Sequence, residues 1–399
     1  MKAIQIYRVL LFSVLFLVVN ATFSMAEDEA SGGGDSSQKE LKNLKKEISK
    51  LKKSYRQLNK RMIRKPRTDF DLPKLQIRGF GHLQYDYKAT KTISRNGFSN
   101  NFTNGGVDLF ITSRIASKLS FLNETVFEFG EDGANVLDVE RVLLKYEATN
   151  WFNVSLGRGH TALGYWNQRF HHGRWLYTTV DRPVLYSFED DGGILPVHFV
   201  GLEFSGNLDS GIGGLTYVAN VANGRGRITD EVQLTEDDND SKMLSFMFSF
   251  EPDFLPGFGF GANIIGDTIP NNPGLGRPIE VDERIYGTHV FYIDEKIELI
   301  GEFQFIEHST ATVKTHSGGY VQFAYTFFNK YKPYYRYDVI DIDSADSFFA
   351  ETGAEDTVQH TLGVRIEWFP FAALKLEYRN KDSDSISSDE ATAQIAFAF

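Results

Sequence analysis

The last eleven residues, Asp389–Phe399 (DEATAQIAFAF), sort into two rows when every second position is taken. Ala391, Ala393, Ile395, Phe397 and Phe399 form an apolar row; Thr392, Gln394, Ala396 and Ala398 form a small or polar one. Period two is a β-strand whose faces meet different surroundings. The pattern starts as early as Leu75. There Leu75, Ile77, Gly79, Gly81, Leu83, Tyr85 and Tyr87 oppose Gln76, Arg78, Phe80, His82, Gln84, Asp86 and Lys88. Long strands with one apolar row and one charged row suit a closed tube, oily outside and wet within. No run of eighteen apolar residues follows the N-terminus, so any membrane crossing is made by strands.

About sixteen such segments fit between 75 and 399, which predicts an all-β, antiparallel transmembrane barrel. Short connections fall near Ser117, Thr149-Asn150, Asp209–Gly211, Pro252–Pro256, Asp294-Glu295, Asn329-Lys330 and Phe369–Phe371. Long ones are expected at 90–106, 130–135, 160–196, 222–241, 268–282, 308–316, 342–356 and 381–388. That alternation is the rhythm of a barrel with short turns at one end and long loops at the other. Aromatics crowd the short-turn end: Trp151-Phe152, Phe327-Phe328, Trp368-Phe369 and Phe371. Pro333 lacks a ladder donor, so a bulge or local disruption is expected there.

The barrel is preceded by an arm. Lys2 and Arg8, the apolar run Val9–Val19 and Ser24-Met25-Ala26 read as a secretory signal over 1–26. Residues 27–37 form a flexible spacer. In 38–65, Leu41, Leu44, Ile48, Leu51, Tyr55, Leu58 and Met62 alternate three and four apart, the seam of a short coiled coil. Residues 66–74 are a linker carrying Pro66 and Pro73. Residues 36–67 hold thirteen Lys and Arg against two acids, although the whole chain has a net charge of −11. In an exported chain nucleic acid is a poor partner for this basic arm, which reads either as the solvated exterior of the coiled coil or as a contact with anionic material such as cell wall. With no Cys, a disulfide framework and thiolate metal sites are excluded.

The segment 160–196 differs from the other connections. Tyr165, Trp166, Phe170, Trp175, Leu176 and Tyr177 need something to pack on, which predicts a loop folded back into the lumen. It also carries Arg169, His171, His172, Arg174 and Arg182, then Glu189, Asp190 and Asp191. Wall residues expected to face the lumen are Arg78, Arg114, Arg141, Arg284, Arg336, Arg365 and Arg379, with Glu124, Glu128, Glu302 and Glu367. Two arrangements stay open. Glu189–Asp191 can face wall arginines and set up a transverse field, or Arg169, Arg174 and Arg182 can face the pore and favour anions. His171 and His172 are adjacent and project apart in extended chain, with no spaced third ligand, so no metal or cofactor is expected.

Taken together, the signal segment, some sixteen strands, a long loop after Ser155-Leu156-Gly157-Arg158-Gly159 and a terminal Phe resemble the bacterial trimeric porins. The coiled-coil arm is more like the phosphate-selective porin O/P and dicarboxylate-porin type. The resemblance implies an outer-membrane homotrimer without catalytic activity, the arm lying in the periplasm. Small hydrophilic solutes, with phosphate or carboxylates among the candidates, would diffuse passively through it. A different class of reading makes the barrel an anchor and the basic coil a structural tether.

Overall fold

The computed structural model describes residues 73–399, apart from 93–95, 130–134, 171–172, 189–190 and 228–237. The signal segment, the spacer, the coiled-coil seam and most of the linker lie outside the described residues, as do His171, His172, Glu189 and Asp190.

Sixteen strands form one sheet. The first eight are β1 (Leu75–Thr92), β2 (Asn96–Ala116), β3 (Leu119–Phe129), β4 (Asn135–Glu147), β5 (Asn153–His160), β6 (His198–Asp209), β7 (Gly213–Asn223) and β8 (Met243–Pro252). The rest are β9 (Phe258–Ile269), β10 (Val281–Ile293), β11 (Ile297–Ser309), β12 (Val313–Tyr325), β13 (Tyr331–Asp341), β14 (Thr357–Phe369), β15 (Ala372–Ser383) and β16 (Ile386–Ala398). Each pairs antiparallel with its sequence neighbours, and β1 pairs with β16, so the barrel closes and no sheet edge is left along its wall. Across the seam, Gln394 Nε2 donates to Gln84 Oε1 at 2.9 Å and Thr392 Oγ1 to Asp86 Oδ1 at 2.6 Å. The polar row of the terminal strand therefore faces the lumen. The opposite row is exposed and apolar around the barrel, as at Leu83, Phe260, Ile264, Phe323, Leu362, Leu376 and Ile395.

Several sequence expectations need correction. Three of the expected long loops are mostly strand. The β1–β2 ladder runs out to Lys91↔Asn96, the β11–β12 ladder to Ser309↔Val313 and the β15–β16 ladder to Asp382↔Ser387. Their polar residues hid this, because a ladder that extends past an apolar belt needs no apolar face. At Pro333 the expected irregularity is a local disruption and not a bulge: its register with Val364 on β14 is unbroken, while pairing with β12 begins only at Tyr334. The missing donor is accommodated by ending one ladder. Arg284 does not face the lumen. It lies on the exposed row of β10 with Asp282 and Tyr286, while Val281, Glu283 and Ile285 take the buried inward row. Apolar groups point inward here because the lumen is not simply water-filled.

Candidate functional site

The occupant of the lumen is the 161–197 connection between β5 and β6. Its first half carries a one-turn helix, α1 (Tyr165–Arg169), entered through Gly164 at φ 56°. A Cβ there would meet Tyr186 Oη at 1.8 Å and Glu302 Oε2 at 2.2 Å, so only glycine fits. Glu302, from β11, accepts four hydrogen bonds. The backbone N–H of Tyr165 donates at 2.8 Å and that of Trp166 at 2.9 Å. The hydroxyls of Tyr186 and Tyr320 donate at 2.6 and 2.5 Å. One carboxylate thus satisfies orphan donors of the helix start and two phenols at once.

The apolar side of the loop packs onto the wall. Leu163, Trp166, Leu185, Tyr186 and Ile194 form one buried cluster with Ile285, Ile300, Ile306, Tyr320 and Ile340 of β10–β13. Trp166 stacks on Tyr186 with centroids 5.5 Å apart, and Tyr165 on Phe291 at 4.2 Å. Burying each such side chain contributes about 1.5–3 kcal/mol.

The second half is held through its backbone. Lys375 Nζ donates to the carbonyls of Arg174 (2.5 Å) and Thr179 (2.6 Å). Arg365 donates to those of Trp175 (2.7 Å) and Tyr177 (2.8 Å). Arg336 reaches the carbonyls of Asp181 (2.9 Å) and Arg182 (3.0 Å), while its Nε pairs with Asp338 at 2.9 Å. Acceptors alternate with these cations. Asp338 takes the N–H of Val184 at 3.0 Å, Glu377 that of Val180 at 2.8 Å and Asp108 that of Gly173 at 2.8 Å. Asn220 and Asn263 take the N–H groups of Ala162 (2.7 Å) and Gly164 (3.2 Å). Buried charge is tolerated because it is paired and hydrogen-bonded.

This arrangement sorts the predicted site residues. Arg336 and Arg365 are buried loop anchors rather than open pore charges. Arg174 pairs with Asp181, which also receives Arg379. Arg182 lies over the ring of Phe188 at 4.1 Å and that of Trp166 at 5.8 Å. Arg114 pairs with Glu147 at 2.9 Å, and Arg169 lies 3.5 Å from Glu251. Asp191 is exposed, and so is Arg78. Sequence reasoning missed Lys375, Asp338, Glu377, Asp108, Asn220 and Asn263. Their only signal was a polar residue on an inward row.

Between the loop and the wall formed by β1, β2 and β4 a cavity of about 310 Å³ remains. Arg78, Arg141 and Arg169 border it together with Phe80, Phe110 and Phe170.

Farther along the same strands, a second buried cluster joins the wall to the connection after β13. His308 places Nε2 2.9 Å from Glu283 and Nδ1 2.9 Å from Asp346. Asp346 caps the short helix α2 (Ser347–Thr352) by accepting the N–H of Phe349 at 2.8 Å. His316 Nε2 lies 3.6 Å from the same carboxylate. His308, His316 and Asp346 thus hold three metal-type donor atoms within 4.8 Å of one another. However, His316 Nδ1 accepts the N–H of Asp343 at 3.1 Å, which leaves Nε2 to carry the proton. Both nitrogens of His308 face carboxylates. The donor set fits an ion-pair network better than a cation.

No protein-family profile matches the chain, and no curated protein does. Solved structures do share the fold. An anion-selective porin from Comamonas acidovorans is 11% identical, with 82% of this chain and 100% of that one covered at a TM-score of 0.57. The outer membrane channel DcaP of Acinetobacter baumannii is 10% identical, covering 82% and 98% at 0.56. OmpT of Vibrio cholerae in its trimer form, an outer membrane protein, is 13% identical, covering 82% and 100% at 0.52. At these identities the likeness is one of fold.

Proposed function

We propose that this chain is an outer-membrane porin through which small hydrophilic solutes diffuse passively, along a path narrowed by the 161–197 loop. One observation carries the reading: a closed sixteen-strand tube, apolar and exposed outside, has a long loop bonded to its inner wall. Such a tube cannot remain in water without covering its outer belt, and a bilayer covers it. A loop across the lumen sets the width that a solute must pass. No nucleophile is needed, because diffusion down a gradient involves no bond change. The fold shared with outer-membrane porins supports this reading, and the trimeric neighbour supports a homotrimer. The arm belongs to the same proposal: a cleaved signal over 1–26, then a periplasmic coiled coil over 38–65 whose basic face meets anionic cell-wall material.

The test is conductance. Purified full-length protein in planar bilayers should give discrete steps, and removing 38–65 should leave them in place. Protein that inserts as folded barrels yet never conducts would overturn the channel. If deletion of 38–65 abolished envelope attachment in such a protein, the tether would take its place.

A further inference from the structure

We infer that the cavity between the loop and the β1–β2–β4 wall is a subsite for a small carboxylate with a flat apolar body, an aromatic monocarboxylate being the simplest case. The place of this subsite in transport rests on the channel reading above. Its volume, about 310 Å³, is that of a small-molecule pocket rather than a packing gap.

Charge selects the sign. Arg141 is paired with Glu124, and its guanidinium lies over the Phe110 ring at 5.5 Å. Arg169 has Glu251 at 3.5 Å. Arg78 borders the cavity, is exposed and has no acidic group within ion-pair distance among the described residues. The three guanidiniums therefore leave one uncompensated positive charge, which matches a monoanion. A guanidinium presents a planar fork of donors, and a carboxylate is the anion that fills it with two parallel hydrogen bonds.

Shape selects the rest of the ligand. Phe80 and Phe110 meet edge to face with centroids 5.3 Å apart, and Phe80 stacks on Trp175 at 6.1 Å. Phe170 closes the loop side. Packed rings offer a rigid apolar wall on which another ring stacks or meets an edge. A water-filled passage for inorganic ions gains nothing from such a wall, whereas an amphipathic anion uses both it and the fork.

The experiment uses benzoate, with acetate matched for charge, benzamide matched for ring, and phosphate as the plain anion. In bilayers holding the full-length protein, benzoate should block the potassium chloride current at a concentration at least tenfold below that needed with any of the other three. Arg78→Gln should raise the half-blocking concentration of benzoate tenfold or more, and Phe110→Ala several-fold. Arg284→Gln, on the outward row, should leave it unchanged. Equal block by benzoate and acetate, equal block by phosphate, or block indifferent to Arg78→Gln overturns the subsite. Should the protein fail to conduct, the channel reading falls and calorimetric titration into the detergent-solubilised protein decides the subsite. Benzoate binding at least tenfold tighter than acetate and benzamide sustains it; equal or absent binding removes it.

Discussion

Gly79 and Phe399 exchange both of their backbone hydrogen bonds, with N–O distances of 2.9 Å in each direction. The chain's last residue is thus stitched to its first strand. A Cβ on Gly79 would lie 2.3 Å from Cζ of the Phe399 ring, and one on Gly81 would lie 2.7 Å from that of Phe397. The two glycines of β1 make the space in which the terminal aromatics lie.

Gly79→Val should therefore displace the Phe399 ring at a cost of about 1–3 kcal/mol, the usual range for overpacking. The cost should shrink in a Phe399→Ala background, where nothing remains to displace. Urea titration of the reconstituted barrel, read by heat-modifiable gel mobility, measures both. Equal losses in the two backgrounds would separate the glycine from the ring.

Glu302→Gln keeps the shape of the side chain and replaces one acceptor oxygen with a donor. Each oxygen accepts one N–H from the start of α1 and one phenol, so whichever position the new amide takes, it would face one donor of each kind. Leaving a buried donor unsatisfied costs about 1–3 kcal/mol. We expect a lower thermal midpoint together with noisier and larger single-channel currents as the loop loosens. A quiet, unchanged current would show that the apolar packing alone holds the loop.

Neutralising Arg336 and neutralising Arg78 should have different effects. Arg336 is fully buried, and its partners are Asp338 and loop carbonyls. Breaking such a pair costs about 3–5 kcal/mol, so Arg336→Gln should destabilise the protein and alter step size. Arg78→Gln should barely affect stability and should shift the reversal potential in a salt gradient toward cations. The Arg169→Gln/Arg174→Gln pair tests whether loop cations share in that preference; an unshifted potential assigns it to the wall.

Acid should spare the cap of α2. Burial pushes the Asp346 carboxyl upward, but hydrogen bonds from His308 and His316 and the N–H of Phe349 outweigh it and hold the group well below the usual carboxylate range. A depressed folded-state value means that the contribution to stability is complete above the unfolded carboxylate value of about 3.9. It is lost only as pH falls further, through the folded value. Hydrogen exchange across 343–356 should thus remain slow down to about pH 4 in the wild type. In Asp346→Asn it should be faster at every pH. Exchange that accelerates between pH 7 and 5 in the wild type would place control elsewhere in the network.

The barrel was legible because period two is a local property: Leu83 and Gln84 differ wherever the strand ends up. Phase was harder to read. Ile285 and Ile300 alternate as lipid-facing residues do, yet they point inward, because the cluster they join includes Trp166 and Tyr186, about a hundred positions or more away along the chain. The candidate site was half legible. The apolar content of 160–196 called for a packing partner, and Trp166 and Tyr186 lie in one buried cluster with wall residues; Arg336 is buried beneath the loop. Its role was not visible, since a guanidinium reads alike in sequence whether it meets water, solute or a backbone carbonyl. Carbonyl acceptors have no letter of their own, and so Lys375 and Arg365 could not be told from pore charges.

The loop donates hydrogen bonds to β2, β7, β9 and β11 and accepts them from β13, β14 and β15. Mechanically it is a cross-brace. Squeezing the cylinder toward an ellipse would stretch some of these ties and crush others, so lateral pressure on the wall meets resistance from inside. The same bracing rules out a swinging door. Releasing any one of these ties leaves the span held by the others.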